Sequence, residues 1–227
     1  VYTVPANSLK TDIVDLIIFV ESGEMKAYAI MSSRNADKIF AGTAKEAEGA
    51  AGTDTLGLVK NSAGAKASLF EIPVEKIGEL TLAVHNAGGW SDRNPVIDVA
   101  ALKQCSYSIK ESDEKIIIGD EFMIASDADF GTFAGVLIDG KLLDEADYAA
   151  VSGSTRVTLS SDYTAALAEG QHEVTILSVD GLVKATFDTE KKTEETPAEP
   201  SDTPEEEQPV TPQPEPAPHT GDDNNAV

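Results

Sequence analysis

The 227-residue chain carries 40 Asp and Glu against 17 Lys and Arg, a formal net charge of -23, and so repels the polyanions nucleic acid and anionic lipid. The basic residues are scattered singly apart from Lys191–Lys192, so no basic stripe offers a nucleic-acid face. The single cysteine, Cys105, excludes an internal disulfide and reads as a small buried or half-buried apolar residue.

The chain starts at Val1 without an initiator methionine or signal sequence, and is expected to be a mature or trimmed fragment. The first strong element is the run Ile13 to Val20, rich in β-branched residues. Asp15 interrupts it, and it is far too short for a membrane span. It is predicted to pair through the turn at Glu21–Glu24 with a strand over Met25–Met31. Thr43, with Glu46 three residues later, predicts a capping box and one short helix over Thr43–Ala51, an insertion between strands. Strands follow at Ala67–Val74, where Pro73 demands an edge or a bulge, and at Leu80–His85. Pro95–Leu102 closes this first module, residues 1 to 103.

A second module, 104 to 188, shows strands near Cys105–Ile109, Lys115–Ile118, Glu121–Ala125, Gly135–Ile138, Tyr148–Ser152, Arg156–Leu159, His172–Ser178 and Leu182–Asp188. Turn signals at Asp139–Gly140, Ser152–Gly153 and Asp180–Gly181 set the rhythm of a β-sandwich. Tyr163–Glu169 reads as a helical turn closed by Gly170. From Asp188 onward the stretch holds twelve acidic and two basic residues, and eight of the eleven prolines lie beyond Lys192. Such a segment buries too little apolar surface to offset its chain entropy, so 189–227 is expected to be a disordered, locally polyproline-like stalk. The predicted fold class is therefore all-β: two immunoglobulin-like β-sandwich modules with a short helical insertion, then a disordered tail.

The side chains that carry chemistry are few. His85, at a strand end, is followed across a Gly88–Gly89 turn by Trp90, Asp92 and Arg93. These four are the candidate ligand-binding loop, against a structural corner in which Trp90 packs over the sandwich end. Met25 and Met31 share one face of a strand; a thioether can ligate haem iron, or the pair simply packs. The three histidines, His85, His172 and His219, are widely separated. No nucleophile elbow, zinc-binding His-Glu-x-x-His or phosphate loop is present, so the chain is expected not to be an enzyme. Asp127–Ala128–Asp129 lacks the glycine and distal glutamate of a calcium loop, and no metal site is predicted. Aromatic residues are 6% of the chain, thin for a glycan-binding face.

Resemblances complete this reading. The end of the stalk, with Pro218, His219, Thr220 and Gly221 preceded by Ala217 where the pattern has leucine, resembles a sortase sorting signal. That likeness implies cleavage after Thr220, attachment to peptidoglycan, and an extracellular, wall-anchored location in a Gram-positive cell. The second module resembles immunoglobulin-like modules of clostridial surface proteins through Phe133–Leu143, Asp147–Tyr148, Ser152–Leu159 and Asp180–Gly181. This implies a spacer without catalytic residues. The first is similar to another clostridial surface module, through Gly23–Lys26, Lys38–Ala47, Phe70–Val74, Ala83–Asn86 and Trp90–Arg93, and more loosely to near-iron-transporter (NEAT) haem binders, although the paired-tyrosine motif is missing. The expected function is thus a wall-attached display or binding protein. The ligand classes left open are haem, a glycan or a protein. Alternatives are haem capture, which would make haem the cofactor where otherwise none is expected, and a non-catalytic region of a carbohydrate-active enzyme.

Overall fold

In the computed structural model, which describes residues 1–192 except Pro5 and Lys10, the strand Ile13–Glu21 is buried on both faces. Leu16 and Ile18 point one way, Ile17 and Phe19 the other, and all four are buried. A strand sandwiched between two apolar layers needs a continuous apolar run rather than alternation, and this is the run the sequence shows.

The strands of the first part are β1 (Tyr2–Val4), β2 (Ile13–Glu21), β3 (Glu24–Met31), β4 (Lys38–Ala41), β5 (Thr53–Asp54), β6 (Gly57–Lys60), β7 (Lys66–Pro73), β8 (Leu82–Asn86), β9 (Gly89–Arg93) and β10 (Lys103–Gln104), with short helices α1 (Ala6–Leu9) and α2 (Ala44–Ala47). The second part contributes β11 (Ile109–Ser112), β12 (Lys115–Ile117), β13 (Phe122–Ser126), β14 (Phe133–Ile138), β15 (Lys141–Leu142), β16 (Tyr148–Val151), β17 (Thr155–Leu159), helix α3 (Ser161–Thr164), β18 (Gly170–Ser178) and β19 (Gly181–Glu190).

The first sandwich sets a six-stranded sheet, β10-β1-β2-β3-β7-β6, against a four-stranded one, β5-β4-β8-β9. Leu16, Ile18, Ala29, Met31 and Phe70 from the large sheet meet Ile39, Leu82 and Val84 from the small one. The second sandwich pairs β11-β13-β17-β16 with β12-β19-β18-β14-β15. Read in chain order, this is the ABED and CFG arrangement of an immunoglobulin sandwich, with short extra edge strands. Its core holds the stacked pair Phe122–Phe187, ring centroids 4.0 Å apart. The fold is all-β, as predicted.

The two sandwiches also pack on each other. Ile17, Phe19, Tyr28, Ile30 and Leu69 on the outer face of the six-stranded sheet join Leu137, Leu177 and Leu182 from the β12–β15 sheet in one apolar cluster. The layers therefore stack in the order small sheet, six-stranded sheet, five-stranded sheet, four-stranded sheet, and residues 1–192 form a single compact unit. Close approach at the seam is possible because β6 begins with a glycine. A Cβ on Gly57, whose φ is +139°, would lie 2.8 Å from Leu142 Cδ2. One end of the seam carries a chain of alternating charges: Lys26 binds Glu71 and Glu21, and Lys184 binds Glu21 and Glu173. The hydrogen bonds from Lys184 and then Lys26 hold the Glu21 carboxyl down at about 2. Lys184 also lies over the Phe19 ring, 5.1 Å from its centroid.

Several elements differ from the sequence reading. Trp90–Arg93 is a strand rather than a loop, because a turn at Ala87–Gly88 closes a hairpin in which Gly89 already pairs with Asn86. Cys105–Ser108 is a connector rather than a strand, with Cys105 half-buried beside Gly181. The helical turn begins two residues earlier than expected, at Ser161, because Ser160 caps it by accepting from the Tyr163 amide. β19 runs to Glu190, past the expected start of the tail, where β12 pairs with it in parallel. The tail from 193 to 227, including the sorting-like motif, lies outside the described residues. The predicted capping box is present, with Thr43 and Glu46 bonding each other reciprocally. Pro73 ends β7 beyond its last pair with β6, so its missing N–H leaves no ladder bond unmade.

His172 shows what organises the second sandwich. It is 8% exposed, with Nδ1 2.7 Å from Asp139 Oδ2 and Nε2 2.9 Å from the Ala168 carbonyl. Both ring nitrogens thus face acceptors, which only the doubly protonated ring can satisfy. Burial works against the charge, but the Asp139 and Ala168 bonds outweigh it and raise the pKa above 6.5. The stabilisation is complete below 6.5 and is lost as pH rises through the raised value. The stability difference between wild type and His172→Gln in urea titrations should therefore shrink between pH 6 and pH 8.5. Leu177→Ala, at the seam, should cost about 2–5 kcal/mol. In calorimetry it should move one cooperative transition for both sandwiches; a shift of one sandwich alone would contradict the shared core.

Candidate functional site

The β8–β9 hairpin pairs His85 with Trp90, Ala83 with Asp92 and Leu82 with Arg93. On the other side of β8, Lys38 pairs with His85 and Phe40 with Ala83. Directly opposed residues share a face. The outward face of the small sheet therefore collects Lys38, Phe40, His85, Trp90 and Asp92, while Ile39, Leu82 and Val84 fill the core behind them.

The aromatic side chains form the centre of this face. Trp90 lies 5.2 Å from the His85 ring and 6.4 Å from Phe40, the latter edge-on at 72°. The indole is half-buried against Gly52, whose φ of +66° is a left-handed conformation that glycine adopts without strain. A Cβ there would stand 2.7 Å from the indole, so the glycine is a seat for the ring. His85 Nδ1 is 2.7 Å from Asp37 Oδ1, and this bond draws the Asp37 carboxyl below the usual carboxylate range. Lys38 pairs with Asp54 at 2.8 Å on the neighbouring β5.

The two remaining candidates have structural partners. Asp92 Oδ1 accepts from the Ala44 amide and so satisfies one of the free N–H groups at the start of α2. Arg93 Nε donates to Asp12 Oδ1 at 2.7 Å and Nη1 to the Asp92 carbonyl at 2.8 Å, tying β9 to the residue before β2. The structure thus unites His85 and Trp90 in a surface patch and assigns Asp92 and Arg93 to its scaffold. Phe40, Lys38 and Asp37 were missed as members. The signal available was the polar–apolar alternation Lys38–Ile39–Phe40, which marks a strand with one outward aromatic ring.

The methionines do lie on one face of β3, but that face is the core of the first sandwich. Met31 is 2% exposed there, and Met25 packs against the same cluster from its rim. Six residues of extended chain separate them by about 20 Å, too far for two ligands of one iron. His85 faces outward from the opposite sheet. Met25, Met31 and His85 do not converge, and these residues do not make a haem cradle. Met25 borders two open clefts. One, of about 550 Å³, includes Glu24, Lys26, Glu71 and Pro73. The other, of about 470 Å³, includes Tyr2, Val20, Tyr107 and Lys184.

Among the described residues no three His, Cys, Asp or Glu side chains are grouped to hold a metal ion. Asp127 accepts from Ser108 and pairs with Lys110, which takes its carboxyl down to about 2, and Asp129 caps a 3₁₀ turn. No helix among the described residues is long and apolar enough to cross a membrane.

No protein-family model matches the chain, and no curated protein matches it in sequence. Solved structures are similar to it only at low identity and low TM-score. SGBP-B from a complex xyloglucan utilization locus in Bacteroides uniformis is 12% identical, covering 78% of this chain and 48% of that one, with a TM-score of 0.30. The tandem Ig repeats of Dlar are 11% identical, covering 74% of this chain and 89% of that one, with a TM-score of 0.35. A titin Ig tandem is 13% identical, covering 85% and 98%, with a TM-score of 0.27. The chain spans about half the length of the first of these. At these TM-scores the likeness carries no argument about this chain.

Trp90 is the single tryptophan of the chain, so its emission reports this patch alone. Gly52→Ala should strain the loop and displace the indole, shifting the emission to the red and lowering stability by about 1–3 kcal/mol. An unchanged spectrum would show that the ring does not rest on Gly52.

Proposed function

We propose that this chain is a non-catalytic, surface-displayed binding protein of a Gram-positive cell wall, whose first sandwich makes the contact through Phe40, His85 and Trp90. The observation that supports this most directly is the position of the aromatic patch. It lies on the outward face of the first layer of a four-layer unit, the layer furthest from the second sandwich. Flat rings held by a glycine seat and an Asp37–His85 bond suit stacking on a planar or weakly polar ligand surface, at low entropic cost because the rings are already ordered. The second sandwich acts as a stand-off fused to the first. Wall attachment rests on the likeness of Pro218, His219, Thr220 and Gly221 to a sorting signal, together with the acidic, proline-rich composition of the segment that carries it.

The test uses the full chain with two readouts. Titration with a panel of cell-surface glycans and host surface proteins, followed through Trp90 emission, should find one class whose affinity falls roughly tenfold or more in Trp90→Ala. Incubation with sortase and an oligoglycine nucleophile should yield a product truncated after Thr220, and Thr220→Ala should abolish it. Binding that is indifferent to Trp90 would remove the contact face from the reading. Absence of the truncated product would remove wall attachment. A Soret band with haemin that depends on Met25 would replace the reading with haem capture.

A further inference from the structure

The two clefts that meet at Met25 are continued by a third, so that a groove runs past the β2–β3 turn and the end of β7. The cleft of about 470 Å³ is mostly apolar. Tyr2, Val20 and Met25 line it from the first sandwich, Tyr107 and Val183 from the chain beyond. Val20 is 71% exposed and Tyr2 46%, so large apolar side chains here face water, gathered in a concavity as at binding surfaces. The cleft of about 550 Å³ leads from Met25 past Val74 to Pro73 and Glu75. The third, about 200 Å³, shares Pro73 and Glu75 and reaches Glu79 and Leu80. Three shallow openings in a row suit an extended chain better than a compact small molecule. Val20 pairs with Met25 across the hairpin, and the Val74 amide donates to the Met25 carbonyl at 2.9 Å, so the floor is ordered before anything binds.

The rim of the groove is acidic. Lys26 and Lys184 stand in it, but each is held between two carboxylates, Lys26 by Glu21 and Glu71, Lys184 by Glu21 and Glu173. Glu24, Glu75 and Glu79 are exposed and have no ion-pair partner among the described residues; against them stands Lys76, exposed and equally unpaired. An apolar floor is thus joined to a surplus of negative charge. A second copy of this chain, at a net charge of -23, does not complement that surplus; a basic partner does.

We propose that this groove docks an extended segment of a partner protein in which large apolar side chains are interspersed with Lys or Arg. An apolar side chain enters the cleft at Val20, Met25 and Tyr107, and flanking cations reach Glu24 and Glu75. Burial of the apolar group supplies affinity, while the charges steer the approach and select the partner. None of Phe40, His85 and Trp90 lines the groove, so it is a second surface, separate from the aromatic patch.

Fluorescence anisotropy of the full chain with a labelled peptide Gly-Lys-Leu-Lys-Phe-Lys-Gly tests the groove. The peptide should bind saturably, one to one. A version with Ser for Leu and Phe should bind roughly tenfold more weakly, and one with Glu for Lys should not bind. The double variant Glu24→Lys with Glu75→Lys should lose roughly tenfold in affinity, and so should Tyr2→Ser with Val20→Ser, whose exposed positions leave the fold intact. Glu114→Lys with Glu121→Lys makes the same charge change at exposed positions of the second sandwich and should leave binding nearly unchanged. The proposal is overturned if the first peptide does not bind saturably, or if the control pair weakens it as much as the groove pair, which would reduce the effect to the charge of the whole chain. Equal affinity for the serine peptide, or wild-type binding by the Tyr2 and Val20 variant, overturns it too. Self-association of the chain that the Tyr2 and Val20 variant abolishes would give the groove to a second copy instead.

Discussion

The burial of β2 on both faces is the constraint from which the architecture follows. A strand with Leu16 and Ile18 on one side and Ile17 and Phe19 on the other has no face to give to water. One side is covered by the small sheet of the same sandwich. The other can be covered only by something outside it, and the five-stranded sheet supplies Leu137, Leu177 and Leu182. Burial of such side chains is worth about 1.5–3 kcal/mol each, enough to couple two sandwiches that would otherwise be beads on a linker.

That coupling shapes everything polar nearby. Charges cannot be placed at random along a seam that excludes water. At one end Glu71, Lys26, Glu21, Lys184 and Glu173 alternate in sign, and each lysine bridges two carboxylates. Nearer the start of β2, Asp15 is buried on the same strand and has no cation to meet it among the described residues. The same strand thus carries a paired charge network and, a few residues away, a buried carboxylate held by the Ser62 amide without a cation. On the far side of the first sandwich the small sheet is free to present Phe40, His85 and Trp90, because its inner face alone is needed for the core.

Much of the fold was legible. The hairpin of β2 and β3, the capping box at Thr43, the turn rhythm of the second sandwich and the all-β class all follow from local periodicity and turn chemistry. The errors share one cause. Trp90–Arg93 reads as a loop because Trp90, Asp92 and Arg93 do not alternate simply, and only pairing with Leu82–Asn86 makes them a strand. Cys105–Ser108 has β-prone residues but, among the described residues, bonds neighbouring backbone only at its two ends, Cys105 N–H to the Val1 carbonyl and Asp127 N–H to the Ser108 carbonyl, so it stays a connector. The candidate site was half legible. His85 and Trp90 were found together through the hairpin turn, whereas Phe40 is some fifty residues away from Trp90 and joins it only through β4–β8 pairing. The methionines share a face as periodicity requires, but periodicity does not say whether that face looks at solvent or core.

By itself the sequence determined the secondary-structure vocabulary, the strongly acidic character, and the composition break after β19, because these depend on composition and near neighbours along the chain. It also contained, in Ile13–Val20, the unbroken apolar run of a doubly buried strand. What covers the second face of that run was decided only by tertiary structure. The docking of one sandwich on the other joins side chains more than a hundred residues apart, and no local pattern records which distant face a buried strand will meet.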